Sequence, residues 1–115
     1  MIVGNFNELL AAEVMSPEAK NAAMKVLVSP AEGWEGHVMR VVELGPNGYS
    51  PKHAHDWPHI NFIIEGTGTL LIEDVLNPLT PGAYAYVPAN TLHQFSNAGD
   101  VPFKFICIVP EKGHK

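Results

Sequence analysis

The sequence has one cysteine, Cys107, so no internal disulfide can form and nothing points to an oxidising compartment. Charge is sparse as well. Asp, Glu, Lys and Arg make up 17% of the 115 residues, while 46% are apolar, enough for a real core and too many for a disordered chain. The seven Lys and Arg are scattered, the net charge is -5, and no basic stripe exists. Nucleic acid and anionic membrane surfaces both demand clustered positive charge, so neither is expected as a partner. No apolar run approaches the ~18 residues of a membrane span. The first ten residues, with Asn5, Asn7 and Glu8, lack the basic and apolar regions of a signal peptide. These absences predict a soluble, cytoplasmic, single-domain protein.

What the chain has is punctuation. Ten Pro and ten Gly separate short segments rich in β-branched and aromatic residues. Val38 to Leu44 alternates and stops at the turn Gly45-Pro46-Asn47-Gly48. His59 to Glu65, Thr69 to Ile72, Ala83 to Val87, His93 to Ser96 and Phe103 to Val109 read as further strands, with breaks at Asn77-Pro78 and Pro81-Gly82. Short strands at this spacing predict an all-β sandwich or barrel. Residues 1–35 read as an arm: Phe6, Leu9, Leu10 and Val14 fit one face of a short helix, and Met24 to Val28 an edge strand. Residues 36–110 form the core, and 111–115 a frayed tail.

Six histidines occur, and four fall in a pattern. His53 and His55 are two apart, so on a strand both imidazoles point the same way, and His59 has the same parity. A straight strand would hold His55 and His59 roughly 13 Å apart. One ion with nitrogen bonds of about 2 Å cannot span that gap. The chain must therefore bend between them, and Asp56-Trp57-Pro58 is the expected corner. His93 follows a turn at Pro88-Ala89-Asn90 and must arrive from a separate strand. Imidazole is the commonest transition-metal ligand, so His53, His55, His59 and His93 are read as one site holding one divalent ion, Mn, Fe, Ni, Cu or Zn. His37 and His114 read as ordinary histidines with satisfied hydrogen bonds.

Residues 48–66, G-Y-S-P-K-H-A-H-D-W-P-H-I-N-F-I-I-E-G, resemble the first cupin motif. Residues 82–97, G-A-Y-A-Y-V-P-A-N-T-L-H-Q-F-S-N, resemble the second, with Asn90 in place of its middle Gly. The resemblance covers roughly residues 38–110 and implies a cupin-type double-stranded β-helix, a jelly-roll barrel. The family's usual set is three His and one Glu; here His59 takes the place of the Glu, and Ile60 stands at the alternative Glu position. This is similar to small single-domain cupins with four-His, manganese-type sites, and implies a homodimer. Two carboxylates common in that subgroup are missing, so the imidazole N–H groups need other partners.

Around the site, Arg40 shares a strand face with Val38, Val42 and Leu44. It either snorkels to solvent or faces the barrel mouth to meet an anionic substrate. Asn61 shares parity with His59. Phe105 and Cys107 share a face of the last strand, where Cys107 is either a small buried hydrophobe or a reactive thiol. Trp57 is a wall or lid of the pocket, or a core aromatic. Arg40, Trp57, Asn61, Phe105 and Cys107 are thus the expected substrate pocket. Ile60, Phe62 and Ile64 oppose an equally apolar face, which predicts cover from a second copy of the chain. Three functions fit: a dioxygenase-like oxidoreductase acting on a small substrate, a non-redox isomerase or cyclase, and a non-catalytic module binding a small ligand.

Overall fold

The last strand sets the pattern of the molecule. Phe103, Phe105, Cys107 and Val109 are buried, while Lys104, Ile106, Ile108 and Pro110 between them are only half-buried. This period of two is the mark of a strand with one face on the core. The computed structural model describes residues 1–114. Among them nine strands follow in order: β1 (Ala12–Glu13), β2 (Lys20–Val28), β3 (His37–Tyr49), β4 (His59–Glu65), β5 (Gly68–Ile72), β6 (Val75–Leu79), β7 (Tyr84–Val87), β8 (His93–Ser96) and β9 (Phe103–Pro110). All pairings are antiparallel. One side of the molecule runs β1-β2-β3-β9-β4-β7 and the other β6-β5-β8. β3 joins them at its far end, where Tyr49 pairs with Ser96. The architecture is the all-β jelly roll, and no helix among the described residues is long and apolar enough to cross a membrane.

The interior holds Val38, Leu44, Ile63, Leu70, Phe95, Phe103 and Phe105, all nearly inaccessible. Phe95 stacks on Phe105 at 4.2 Å between centroids, and Phe103 follows at 5.4 Å. This aromatic column fills one end of the barrel and leaves the other to the histidines.

Four local expectations need correction. The N-terminal helix is absent: Phe6–Glu8 makes a single 3-10 turn capped by the Asn5 side chain, and a two-residue strand follows. Leu9 and Leu10 are exposed, so no packed face stabilises a helix there, and an isolated helix this short is unstable in water. The Gly45–Gly48 segment does not end β3. It bulges, so that Lys20 pairs with Tyr49 while Ala22 already pairs with Leu44. Asn47 absorbs the bend at φ 60°. Asn77-Pro78 does not break a strand either. Pro78 lies within β6, at the sheet edge, where its missing N–H leaves no ladder bond unmade. The tail does not fray up to His114. Glu111–Gly113 forms a 3-10 turn whose first N–H bonds to the Gly36 carbonyl at 2.8 Å, and Lys112 reaches Asp56 at 3.5 Å. Lys115, the remainder of the expected tail, lies outside the described residues.

Gly66, at φ +75°, closes the hairpin between β4 and β5, and a Cβ there would run into the Pro102 carbonyl. Asn90 sits at φ 61°, the left-handed region that glycine serves best and asparagine tolerates.

Candidate metal centre

Backbone pairing brings the first two rings together. Beyond β3 the chain runs along β8, with His53 N–H donating to His93 O at 3.2 Å and His93 N–H donating back at 3.0 Å. His55 follows two residues later. The chain then bends at Asp56-Trp57, as expected, and His59 enters β4 as its first residue with its ring turned inward. His59 and His93 are 5% and 3% exposed. Ring centroids lie 4.8 Å apart for His53–His55, 5.0 Å for His53–His93, 4.9 Å for His55–His93 and 4.8 Å for His59–His93.

Hydrogen bonds set the tautomers of three rings. His55 Nδ1–H donates to the Trp57 carbonyl at 2.8 Å. His59 Nδ1–H donates to Asn61 Oδ1 at 2.6 Å, and His93 Nδ1–H to the Thr91 carbonyl at 2.8 Å. A carbonyl oxygen only accepts, so each Nδ1 carries the proton and each neutral ring keeps a bare lone pair on Nε2. These oxygens replace the carboxylates that the sequence lacks. The Trp57 and Thr91 carbonyls have no sequence signature. Asn61, expected to line the pocket, commits its oxygen to His59, a role its spacing of two along one strand face could have signalled.

Burial lowers the pKa of His59, His93 and His53. His59 is pushed down to about 4, chiefly by burial; the Asn61 bond opposes this, and the nearby charges of His93, His55 and Arg40 add to it. Burial likewise lowers His93, against the Thr91 bond. It lowers His53 too, with His55 adding and Glu18 opposing.

The donor atoms fit a transition metal. One nitrogen each from His53, His55 and His93 lie within 4.8 Å of one another. Ligands about 2.1 Å from one ion stand at most about 4.2 Å apart, so a few tenths of an ångström close the set. His59 Nε2 lies 3.1 Å from His93 Nε2. That is the spacing of neighbouring ligands on one ion, and it points two lone pairs at each other. Two buried acceptors in that relation repel unless a cation lies between them.

All five residues expected around the site line the same cavity as the four histidines, together with Met24, Val42 and Phe95; its volume is about 250 Å³. Arg40 therefore faces inward, not to bulk solvent. Trp57 stacks flat on His55, 4.3 Å between centroids and 6° between planes. Cys107 is buried at the cavity wall with its sulfur 3.7 Å from Arg40 Nη2. His114, which the sequence left as an ordinary histidine, reaches Arg40 from the C-terminal turn.

The family model of the cupin domain matches residues 40–109. The chain belongs to the cupin family. Among solved structures, this cupin resembles the polyketide cyclase RemF of Streptomyces resistomycificus, with a TM-score of 0.90 and 26% identity over 96% of this chain and 80% of that one. It also resembles a cupin-2 domain protein of Rhodospirillum rubrum, with a TM-score of 0.79 and 26% identity over 90% of this chain and 68% of that one. A 1-methylthio-D-xylulose 5-phosphate methylsulfurylase of the same organism is 28% identical over 71 residues, 62% of this chain and 46% of that protein. The chain spans about half the length of the curated relatives it matches. The small cupin barrel and the clustered histidines are thus established together.

Proposed function

We propose that His53, His55, His59 and His93 hold one divalent transition metal, and that this cupin uses it in a non-redox isomerisation or ring closure of a small, flat, oxygen-bearing substrate. The 3.1 Å contact between the bare Nε2 atoms of His59 and His93 carries the metal reading. The likeness to a polyketide cyclase supports the reaction class. When bound, the metal supplies Lewis acidity toward a carbonyl or enol oxygen. The chain's own residues do the rest. Phe95, Phe105, Met24 and Val42 make an apolar slot in which a planar molecule is held and water excluded. Trp57 packs against His55 and limits the movement of that ring.

An oxygen-dependent, dioxygenase-like reaction is the second reading. It is supported by the neutral imidazole set, which leaves an ion electrophilic and suits redox metals. The two separate by metal exchange, because zinc has no redox chemistry. Metal-free protein titrated with zinc or cobalt should bind about one ion per chain and change the fluorescence of Trp57 as His55 is ligated. No binding to reconstituted protein, and no transition metal by elemental analysis after purification, would overturn the metal reading. The zinc form is expected to convert poly-β-carbonyl compounds without oxygen. Turnover confined to iron or manganese forms, with oxygen uptake, would replace the first reaction by the second.

A further inference from the structure

Arg40 is a cation placed in the barrel with no anion among the described residues to meet it. Its neighbours in register are Cys107 on β9, which in turn pairs with Asn61 on β4, so the three form one row across the inner face. Among the described residues the ion pairs use Lys25, Lys104 and Lys112, and no carboxylate lies within 4.0 Å of Arg40. Its partners are neutral. Nη1 donates to His114 Nδ1 at 2.9 Å and Nη2 to Cys107 Sγ at 3.7 Å, while Nε is buried with no acceptor among the described residues. His114 is kept neutral by burial and by Arg40 itself. A thiol and an imidazole are weak substitutes for an oxyanion, whose hydrogen bonds to a guanidinium are shorter and roughly twice as strong.

The C-terminal turn supplies the imidazole. Gly113 packs so closely against the Trp57 indole that a Cβ would not fit, and the Lys112–Asp56 pair holds the turn at the exposed side. The turn thus lays His114 against the Nη1 end of Arg40, while Arg40 itself and Gly113 of the turn line the cavity of the four histidines.

We propose that Arg40 is the subsite for an anionic oxygen of the substrate, and that His114 occupies this subsite as a place-holder which the incoming anion displaces. The ligand class is a small planar carboxylate, enolate or phenolate, sized to the cavity of about 250 Å³. This deepens the function proposed above by naming the charge of its substrate, but the anion contact itself needs only Arg40, so it is testable without metal.

The test is calorimetric titration of metal-free protein with benzoate, its neutral isostere benzamide, and 4-nitrophenolate, whose visible band also reports the field around its oxygen. Benzoate or the phenolate should bind about tenfold or more tighter than benzamide, the margin of a charge-assisted bond. The stronger of the two identifies the source of the oxygen. Arg40→Met should abolish the preference and Arg40→Lys should keep part of it, with circular dichroism confirming the fold of each. His114→Ala should tighten anion binding several-fold. Equal affinity for benzoate, 4-nitrophenolate and benzamide, or an undiminished preference in Arg40→Met, would overturn the subsite. Weaker binding in His114→Ala would overturn the place-holder role. Failure of metal binding with the anion preference intact would strike only the function proposed above, and the converse only this inference.

Discussion

Asn61 illustrates how one side chain sets the chemistry of its neighbour. It is 1% exposed, its oxygen receives the His59 Nδ1 proton, and its amide reaches the Ile106 carbonyl at 3.4 Å. Replacing it with leucine, similar in volume, leaves His59 free to rotate and to carry its proton on either nitrogen. Asn61→Leu should lower metal affinity about 10–100-fold, read by competition with a chelator, while the thermal transition of the barrel persists. The same histidine makes stability depend on pH. The folded ring accepts a proton only near pH 4, whereas the unfolded ring accepts one near 6.5. Between those values the unfolded chain binds more protons. The metal-free protein should therefore be most stable above pH 6.5 and lose about 3 kcal/mol through His59 as pH falls toward 4, as urea titrations across that window would reveal. His53 and His93 shift in the same direction and steepen the loss. A flat stability profile between pH 7 and 4 would contradict this.

The strands carry the site only because their connections are tied down. Asn97, the last residue of the second motif, is 1% exposed. Its amide nitrogen reaches the carbonyls of Leu44, Gly45 and Val101 at 3.0, 3.1 and 2.8 Å, and its oxygen accepts from Gly99 N–H at 3.0 Å. It thus fastens the end of β8 to the start of the bulge in β3 and to the loop before β9. Asn97→Ala strands these buried groups and should cost about 2 kcal/mol or more in chemical denaturation, with metal binding weakened only through the loss of fold. An unchanged midpoint would show that the loops do not depend on it. Asn90 plays a smaller part: its left-handed backbone turns the chain from β7 toward β8, and its N–H meets the His55 carbonyl at 2.6 Å, linking the two motifs beside the site.

At the scale of the molecule, one outer face is left apolar. Ile60 and Phe62 on β4 are 53% and 44% exposed, and their register partners Tyr86 and Tyr84 on β7 are exposed as well. Within a single chain this strand is covered on its inner side only. We propose that a second copy of the chain covers this face. The four side chains carry no charge and form one contiguous patch, which suits a two-fold contact of a surface with itself. Sedimentation at micromolar concentration should give a dimer. Ile60→Lys combined with Tyr86→Lys should give a folded monomer, since both side chains point away from the core. A wild-type monomer at that concentration would refute the dimer.

The amino-acid order was enough to read off the fold class and the family motifs. Turn residues and the spacing of His53, His55, His59 and His93 are local properties, and they survive into the structure because side chains alternate across a strand with a period of two, as the burial of β4 and β9 does. The bend at Asp56-Trp57-Pro58 was legible there too, because the reach of a strand and the length of a metal bond are incompatible without one. Tertiary structure alone decided what happens where local rules were silent or outvoted. Pro78 could stay in a strand because β6 lies at an edge, and Gly45–Gly48 became a bulge because Tyr49 found pairing partners in both Lys20 and Ser96. The tautomers of the histidines depend on carbonyls of Trp57 and Thr91, which every residue possesses and no sequence pattern marks. The meeting of Arg40 with His114 spans 74 positions and exists only because β3 and the C-terminal turn share one wall of the barrel. Contacts at such separation are set by packing, which sums over the whole chain, and not by the propensity of any segment.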